Sequence, residues 1–239
     1  MAVHLSIIVP VLNEAAALAQ TLEPLQDWRG SATIEIIVAD GGSCDDTLAV
    51  ARPLADTLVC ATAGRAAQMN AGAEAAQGDY LLFLHADTQL PPQWPQLLQA
   101  WREDRVSWGY FALRFTGRGP ALRVLAWFIN ARSRLTGVST GDQCQFVRRS
   151  LFVDVGGFAA LPLMEDVALS KCLRRRQQPR FETRPVTTSS RRWESKGLVR
   201  TVLLMWSLRL AYVCGVSPAR LAAIYYPRRN AVNATVSAD

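Results

Sequence analysis

The alternation of short apolar runs with helical stretches in the first half of the sequence is the strongest constraint on the fold. The runs LSIIVP, IEIIVAD, TLVCA and YLLFLH are aliphatic and β-branched, as strands buried on both faces are. Between them lie EAAALAQTLEPL and the Ala-rich RAAQMNAGAEAAQ, which we predict to be helices. Strand and helix in alternation predict βαβ units, and therefore an α/β fold with a mostly parallel central sheet flanked by helices.

Polar residues mark the expected ends of these helices. Asn13 is a suitable N-cap for the first helix, and Ser43 with Asp46 three residues later forms an approximate capping box for the second. Gly78 is expected to stop the Ala-rich helix, because glycine readily adopts the left-handed conformation found just after many helices.

The second half of the sequence has a different pattern. WGYFALRF predicts a strand, PALRVLAWFINARSRL an amphipathic helix, and TGDQCQFVRRSLF a strand and a turn. EDVALSKCLRRR predicts a helix with acids in its first turn and arginines in its last, an arrangement that complements the helix dipole at both ends.

The segment LVRTVLLMWSLRLAYVCGVSPARLAAIYY is strongly apolar, but Arg200, Arg209 and Arg220 interrupt it. No uncharged run approaches the roughly 18 residues that a membrane-spanning helix needs. We therefore expect residues 196–229 to form a buried or interfacial amphipathic segment. The tail, residues 230–239, is expected to be disordered.

Charge is divided unevenly along the chain. Residues 1–119 carry 7 Lys and Arg against 13 Asp and Glu, whereas residues 120–239 carry 19 against 7. A basic second half indicates an anionic partner such as phosphate, a membrane surface or nucleic acid. A solvated basic surface with no such partner is the alternative.

The five cysteines are widely spaced and form no C-x-x-C pair. This spacing argues against a disulfide framework and against a zinc site. The N-terminus runs directly into the first predicted strand without a basic leader. We therefore expect a cytoplasmic protein.

Polar residues follow each of the first four predicted strands, where the ligands of open α/β sheets bind. Asp40 can accept hydrogen bonds from a base or ribose, and Arg65 lies just before a helix N-terminus, where a phosphate binds favourably. His85 and Asp87 are two residues apart at the end of a strand, so in extended backbone both point to one face. They form either a metal or phosphate site or a plain strand end in water.

Five segments in this order resemble the family 2 glycosyltransferases with the GT-A fold: SIIVPVLNEAAAL, IEIIVADGGSCDDT, GRAAQMNAGAEAAQGDYLLFLHADT, VRRSLFVDVGGF and EDVALSKCLRRR. The resemblance covers roughly Leu5 to Trp193 and is greatest to a small bacterial subgroup with poorly defined acceptors. It implies transfer of a sugar from a nucleotide diphosphate donor, with inversion and with a divalent cation, Mn²⁺ or Mg²⁺. It also implies one GT-A domain over residues 1–195, with a donor half (1–119) and an acceptor half (120–195).

The resemblance assigns roles to individual residues. Asp87 of HAD is the metal-contacting carboxylate, and Asp166 is the catalytic base, preferred to its neighbour Glu165. The donor-binding set consists of Pro10, Asn13, Glu14, Asp40, Arg65, His85, Asp87, Arg191, Arg192 and Trp193. A UDP-sugar is the first expectation for the donor, no nucleic acid is expected, and the acceptor is unidentified and is expected to be lipid-linked or amphiphilic.

His85 departs from the family pattern, because it stands where the family has the first Asp of D-x-D. An imidazole ligand favours Mn²⁺ over Mg²⁺. Alternatively, His85 hydrogen-bonds ribose or phosphate and leaves Asp87 as the sole protein ligand, or it has no ligand role. The carboxylates Glu165 and Asp166 also have a structural alternative, since acids in a first turn stabilise a helix by themselves.

Two other classes of protein compete with this interpretation. A dinucleotide dehydrogenase requires G-x-G-x-x-G after the first strand. This chain has PVLNEA there, which argues against a dehydrogenase. A catalytically silent nucleotide-sugar-binding protein of the same fold stays open, because the first Asp of D-x-D is missing. A peripheral membrane contact through Ala121–Leu135 and Leu198–Val213 is a further expectation, with packing of both segments on the sheet as its alternative.

Overall fold

A computed structural model describes residues 3–29 and 33–226. Within these ranges eight strands form a single mixed sheet in the order β3-β2-β1-β4-β7-β6-β8-β5. The strands are β1 (Leu5–Val11), β2 (Ile34–Asp40), β3 (Thr57–Cys60), β4 (Tyr80–Phe83), β5 (Thr88–Gln89), β6 (Trp108–Phe115), β7 (Gln145–Arg148) and β8 (Arg180–Thr188). The α/β class predicted from the sequence is confirmed.

Ten α-helices accompany the sheet in the described ranges, together with 3₁₀ turns at Glu23–Trp28 and Gly141–Gln143. The helices are α1 (Ala15–Leu22), α2 (Thr47–Ala51), α3 (Arg65–Ala75), α4 (Trp94–Glu103), α5 (Pro120–Thr136), α6 (Arg149–Asp154), α7 (Glu165–Arg176), α8 (Arg191–Lys196), α9 (Leu198–Val213) and α10 (Pro218–Tyr225).

Strands β1 to β4 form the parallel part of the sheet, with β1 between β2 and β4. Their side chains alternate between two cores: Ile7 packs with Leu18 of α1, whereas Ile8 packs with Met69 of α3. A Cβ on Gly72 of α3 would lie 2.5 Å from the Ile8 side chain, so the glycine allows α3 to approach β1 closely. Because both faces are covered, the alternation of polar and apolar residues disappears from these strands.

The second half of the chain extends the sheet by antiparallel and parallel pairing. β7 is antiparallel to both β4 and β6, β8 runs parallel to β6, and the short β5 pairs antiparallel with β8. Helix α4 covers this part, where Trp101 stacks on Phe146 with ring centroids 3.6 Å apart. The sequence analysis did not anticipate α4, β5 or β8. Yet β8 determines the site, because it carries the residues before Arg191 to the edge of the sheet next to Asp87.

The predicted helix caps were wrong. Asn13 has a left-handed backbone (φ 57°) and its Oδ1 accepts a hydrogen bond from the Cys44 amide at 2.8 Å, so it joins two loops. The Ser43 hydroxyl donates to Asp40 at 2.5 Å. Gly78 lies beyond the end of α3, and a Cβ there would come within 2.6 Å of Ser6 Oγ, so this glycine serves a close approach to β1. The three predicted caps therefore have other roles: Asn13 joins two loops, Ser43 bonds to Asp40, and Gly78 allows close packing.

Helices α9 and α10 pack on the start of α7. Leu208 and Leu221 share a buried cluster with Met164 and Val167. The opposite face of α9 is exposed, and so is part of α5. The division into residues 1–195, 196–229 and 230–239 stays a prediction, and the tail lies outside the residues that the structure describes.

Candidate active site

A cavity of about 420 Å³ opens at the carboxyl ends of β1 and β4, beneath the C-terminal helices. Seven of the residues predicted from the sequence line it: Pro10, Glu14, Arg65, His85, Asp87, Asp166 and Trp193. They are spread from Pro10 to Trp193 along the sequence, and the sheet brings them together. The predicted donor residues and the predicted base therefore share one chamber.

Asp87 lies between β4 and β5, immediately before β5, which pairs with β8. Its backbone carbonyl accepts a hydrogen bond from the Ser189 amide at 3.1 Å, which fixes the loop after β8 beside it. The Asp87 carboxylate receives a long hydrogen bond from Thr88 Oγ1 at 3.5 Å. Partial burial raises the pKa of Asp87, while the positive charges of Arg191 and Arg65 oppose this shift. Because ionisation of this carboxyl group costs free energy, a cation bound beside it would stabilise its ionised form.

His85 lines the same cavity two residues earlier. Burial, and then the nearby charge of Arg65, lower the pKa of His85 to about 3, so its imidazole is neutral at physiological pH. A neutral imidazole has a lone pair for a metal or a hydrogen-bond donor. The backbone of Gly141 passes directly against it, since a Cβ there would lie 2.6 Å from His85 Nε2.

The described residues can hold a divalent cation only together with ligands from a bound nucleotide and from water. No group of three or more His, Cys, Asp and Glu side chains converges on one point among the described residues. Asp87 and His85 supply one carboxylate and one neutral imidazole to the cavity. Mn²⁺ and Mg²⁺ bound beside nucleotides take further ligands from phosphates and water, so two protein ligands are sufficient.

Asp166 and Glu165 begin α7 and differ in position. Asp166 Oδ2 accepts the Gly141 amide at 2.7 Å, and Oδ1 accepts the Val167 amide at 2.7 Å. Burial raises the pKa of Asp166 despite these bonds and the charge of Arg65. Glu165 is buried and does not line the cavity; burial, then the charge of Asp166, raise its pKa to about 7. Asp166 is thus the accessible carboxylate, oriented by two amides.

Arg65 is the first residue of α3, and its exposed side chain lines the cavity. Desolvation opposes its charge, but Tyr226, Glu165, Tyr225 and Asp166 outweigh this effect and raise the pKa of the guanidinium further. A permanent cation beside the free N–H groups of a helix start is a suitable binding site for phosphate oxygens.

Arg191 and Glu14 form an ion pair across the mouth of the cavity, with 3.6 Å between Arg191 Nη2 and Glu14 Oε2. Burial raises the pKa of Glu14, and the charge of Asp87 adds to this shift. Trp193 packs edge-on against Phe115 at 5.7 Å. The first turn of α8 therefore closes one side of the chamber with a cation and an aromatic ring.

Two predicted donor residues support the cavity without lining it. The buried carboxylate of Asp40 accepts hydrogen bonds from the Gly42 amide and from the amide and hydroxyl of Ser43. Asn13 joins the loops after β1 and β2, as described above. Direct contacts of either residue with a nucleotide stay a prediction. The side chain of Arg192 lies outside what the structure describes.

Sequence reasoning missed several residues of the chamber. Gln68 bridges the carbonyls of Val11 and Ala39 at 2.6 and 3.0 Å, and its spacing of three from Arg65 on α3 was a usable signal. The turn Gly141–Gln143 and the C-terminal tyrosines carried no such signal. The missed lining residues include Gln68, Phe115, Thr140, Gly141, Asp142, Ser189, Tyr225 and Tyr226.

Fold and site together define an α/β protein with a polar cavity at the carboxyl edge of its sheet, lined by Arg65, Asp87 and Asp166. Residues 6–160 match the family model "Glycosyl transferase family 2", and the chain belongs to this family. The resemblance predicted from the sequence is thereby confirmed. Curated relatives include the "PGL/p-HBAD biosynthesis glycosyltransferase" of Mycobacterium bovis (strain BCG / Pasteur 1173P2), 37% identical over 92 residues. That match covers 36% of each chain, so the present chain spans about a third of the relative's length.

Solved structures confirm the GT-A type of fold. The S. aureus TarS fragment in complex with UDP-GlcNAc has a TM-score of 0.63 at 18% identity, covering 78% of this chain and 58% of that one. Glucosyl-3-phosphoglycerate synthase from Mycobacterium tuberculosis, with Mn²⁺, UDP and glucosyl-3-phosphoglycerate, has a TM-score of 0.62 at 18% identity, covering 89% and 80%. At this identity the likeness concerns the fold.

Proposed function

We propose that the protein transfers a sugar from a nucleoside diphosphate donor, a UDP-sugar first, to an acceptor hydroxyl. The observation that carries this proposal is the common chamber of Arg65, Asp87 and Asp166. Family membership and the UDP complexes of proteins with the same fold support it. The leaving diphosphate needs cations, and the acceptor hydroxyl needs a base; this chamber offers both.

Asp166 acts as the general base in a single displacement that inverts the anomeric carbon. Its carboxylate accepts the proton of the acceptor hydroxyl while the hydroxyl oxygen attacks and the bond to the diphosphate breaks. The amides of Gly141 and Val167 hold the carboxylate in position. A raised pKa makes it a better proton acceptor than an ordinary aspartate. Glu165 is buried and does not line the cavity, so it is not placed to meet the acceptor.

The leaving diphosphate is bound by Arg65, by the start of α3 and by the first turn of α8 with Arg191 and Trp193. A divalent cation held by Asp87 and His85, Mn²⁺ before Mg²⁺, would neutralise the charge that develops there. Arg191 already pairs with Glu14 and stands within charge range of Asp87, so it can transfer its hydrogen bonds to a phosphate when the donor binds.

A catalytically silent nucleotide-sugar-binding protein is the second candidate. His85 at the first position of D-x-D favours it, because one carboxylate is lost from the metal site. Such a protein would bind the donor without releasing the nucleotide, so the measurement that separates the two candidates is turnover.

We further propose that the acceptor is lipid-linked or amphiphilic and that the protein works in the cytoplasm at the inner face of the membrane. Helix α9 supports this with an exposed apolar stripe at helical spacing, Val199, Leu203, Trp206, Leu210 and Val213. Trp127 and Phe128 extend exposed apolar surface on α5. None of the helices in the described ranges is long and apolar enough to cross a bilayer.

Thermal shift with UDP, GDP and their sugars, with and without Mn²⁺, tests donor binding, because a ligand of the native state raises the melting temperature. We expect a metal-dependent shift for the wild type that is lost in Asp87→Ala, whose own melting temperature stays near that of the wild type. Asp154→Asn, an exposed carboxylate on α6, is the matched control. A full shift in Asp87→Ala would contradict the assignment of the metal ligand.

A further inference from the structure

Two side chains near the cavity end in buried polar atoms without a hydrogen-bond partner among the described residues. They are Asp142 Oδ1 and Arg132 Nη2. Buried polar groups in native proteins are almost always paired, so an unpaired one requires an explanation. Opposite charges that are both unpaired and near each other indicate a place that is completed by a ligand.

Asp142 lies in the 3₁₀ turn that separates the two working ends of the chamber. It lines the cavity, and its charge raises the pKa of both Asp87 and Asp166. The preceding Gly141 stands between His85 and the base, since a Cβ there would lie 2.6 Å from His85 Nε2 and 3.7 Å from Asp166 Oδ2. Asp142 is therefore within range of both the diphosphate end and the base end.

Arg132 stands behind Asp142 on α5 and does not line the cavity. Burial lowers the pKa of Arg132, and the charges of Asp142 and Asp166 oppose that shift. No ion pair within 4 Å joins the described side chains of Arg132 and Asp142. Arg132 thus lies within charge range of Asp142 without pairing with its free oxygen.

The scaffold that carries both residues is firmly connected. The Gln143 side chain donates to Ser133 Oγ at 2.9 Å and to the Phe111 carbonyl at 3.2 Å. Tyr110 donates its hydroxyl hydrogen to the Ser133 carbonyl at 2.6 Å. Residues next to Asp142 and to Arg132 are therefore tied to each other and to β6, so the backbone that carries the two unpaired side chains is held in place.

We propose that Asp142 binds a hydroxyl of the transferred sugar ring, with Arg132 as its positioning residue. This inference rests on the proposed function and deepens it. In a direct displacement the sugar ring lies between the leaving diphosphate and the general base. A side chain close to both of these groups therefore faces the sugar ring. A hydroxyl donates the hydrogen that Asp142 lacks. Asp142 Oδ1 is buried away from solvent. The carboxylate must therefore turn toward the cavity when the sugar binds.

The chemistry of the wall selects a neutral sugar. Asp142 and Asp166 place two carboxylates in the lining of this end of the chamber. A ring with its own carboxylate or phosphate would meet repulsion there, whereas hydroxyls are hydrogen-bonded. The inference therefore names neutral hexoses and N-acetylhexosamines as the donor class.

Calorimetric titration with UDP, UDP-glucose and UDP-GlcNAc in the presence of Mn²⁺ tests this. We expect the wild type to bind one UDP-sugar more tightly than UDP, and Asp142→Asn to lose about 10- to 100-fold affinity for that UDP-sugar while its affinity for UDP is unchanged. Arg132→Met should show the same sugar-selective loss, and Arg132→Lys should restore much of it. Asp154→Asn should match the wild type.

Three results would overturn the inference. In the first, Asp142→Asn still binds the UDP-sugar more tightly than UDP by the same factor as the wild type. Asp142 would then contact an acceptor or have only a structural role. The variant loses UDP and UDP-sugar affinity equally, which would make Asp142 part of the diphosphate site. The wild type binds UDP and both UDP-sugars equally, which would leave no sugar contact to assign. A wild type that binds no nucleotide at all would instead overturn the proposed function, and this inference with it.

Discussion

Replacing Asp166 by Asn tests whether Asp166 acts as the general base or only stabilises the first turn of α7. An amide cannot take a proton from the acceptor, so transfer or donor hydrolysis should fall by about two to four orders of magnitude. This corresponds to about 3 to 5 kcal/mol in the activation free energy, at 1.36 kcal/mol for each factor of ten. Shape and one acceptor oxygen are retained.

The stability cost should be much smaller. Asp166 accepts two amide hydrogen bonds, from Gly141 and Val167, and the Asn oxygen can keep one of them. Loss of the other costs about 1 kcal/mol, and removal of a buried charge beside Glu165 offsets part of this. A change of about 1 kcal/mol shifts the melting temperature of a chain of this size by about 2–4 °C.

The assay is release of UDP from a UDP-sugar with Mn²⁺, measured against pH, with thermal melting of the same samples. The wild-type rate should fall as pH drops through the raised pKa of Asp166, whereas the Asn variant should lose this dependence. Asp154→Asn controls for the loss of one surface carboxylate. An Asp166→Asn variant within a few-fold of wild-type activity would refute the base and leave Asp166 a helix-capping residue.

Three more predictions follow from the structure. Gly141→Ala should displace His85, because its Cβ would lie 2.6 Å from Nε2; we expect a loss of Mn²⁺-dependent turnover at least tenfold larger than for an Ala substitution at exposed Gly119. Burial raises the pKa of Glu165 from 4.5 to about 7, so the folded protein holds this proton more tightly than the unfolded chain. The free energy of unfolding should therefore fall by up to about 3 kcal/mol as pH rises through this window, and Glu165→Gln should flatten the fall in urea titrations; an unchanged slope would contradict it. Trp206→Glu on the exposed face of α9 should reduce co-sedimentation with anionic liposomes at low salt. A wild type that stays in the supernatant would exclude the membrane contact.

The parallel half of the fold was predictable because its signal is local. Strands β1, β2 and β4 are nearly continuous apolar runs. Arg65 follows β3, and His85 and Asp87 follow β4, so all three lie at one edge of the sheet. The carboxyl edge of a parallel sheet then places these side chains in one cavity without any knowledge of tertiary contacts. Most of the donor site was therefore predictable from strand ends alone.

The second half was less predictable because tertiary contacts decide it. β8 contains Pro185 and an irregular pairing with β6, which hides its strand pattern, although it places Arg191 and Trp193 beside Asp87. Asp40 and Asn13 were predicted to contact the donor. In the structure they hold loops through hydrogen bonds to Ser43 and Cys44, and a direct contact with a nucleotide stays a prediction. Asp142 had no sequence signal, because its importance lies in a buried oxygen without a partner.

The central claim is turnover of a nucleotide sugar in the chamber of Arg65, Asp87 and Asp166. Its most direct test is nucleotide release from a panel of UDP-, GDP- and dTDP-sugars, with Mn²⁺ and with a chelator. We predict metal-dependent release from one donor by the wild type and its loss in Asp87→Ala. Binding without release from any donor would identify a silent binding protein, and neither binding nor release would contradict the account as a whole.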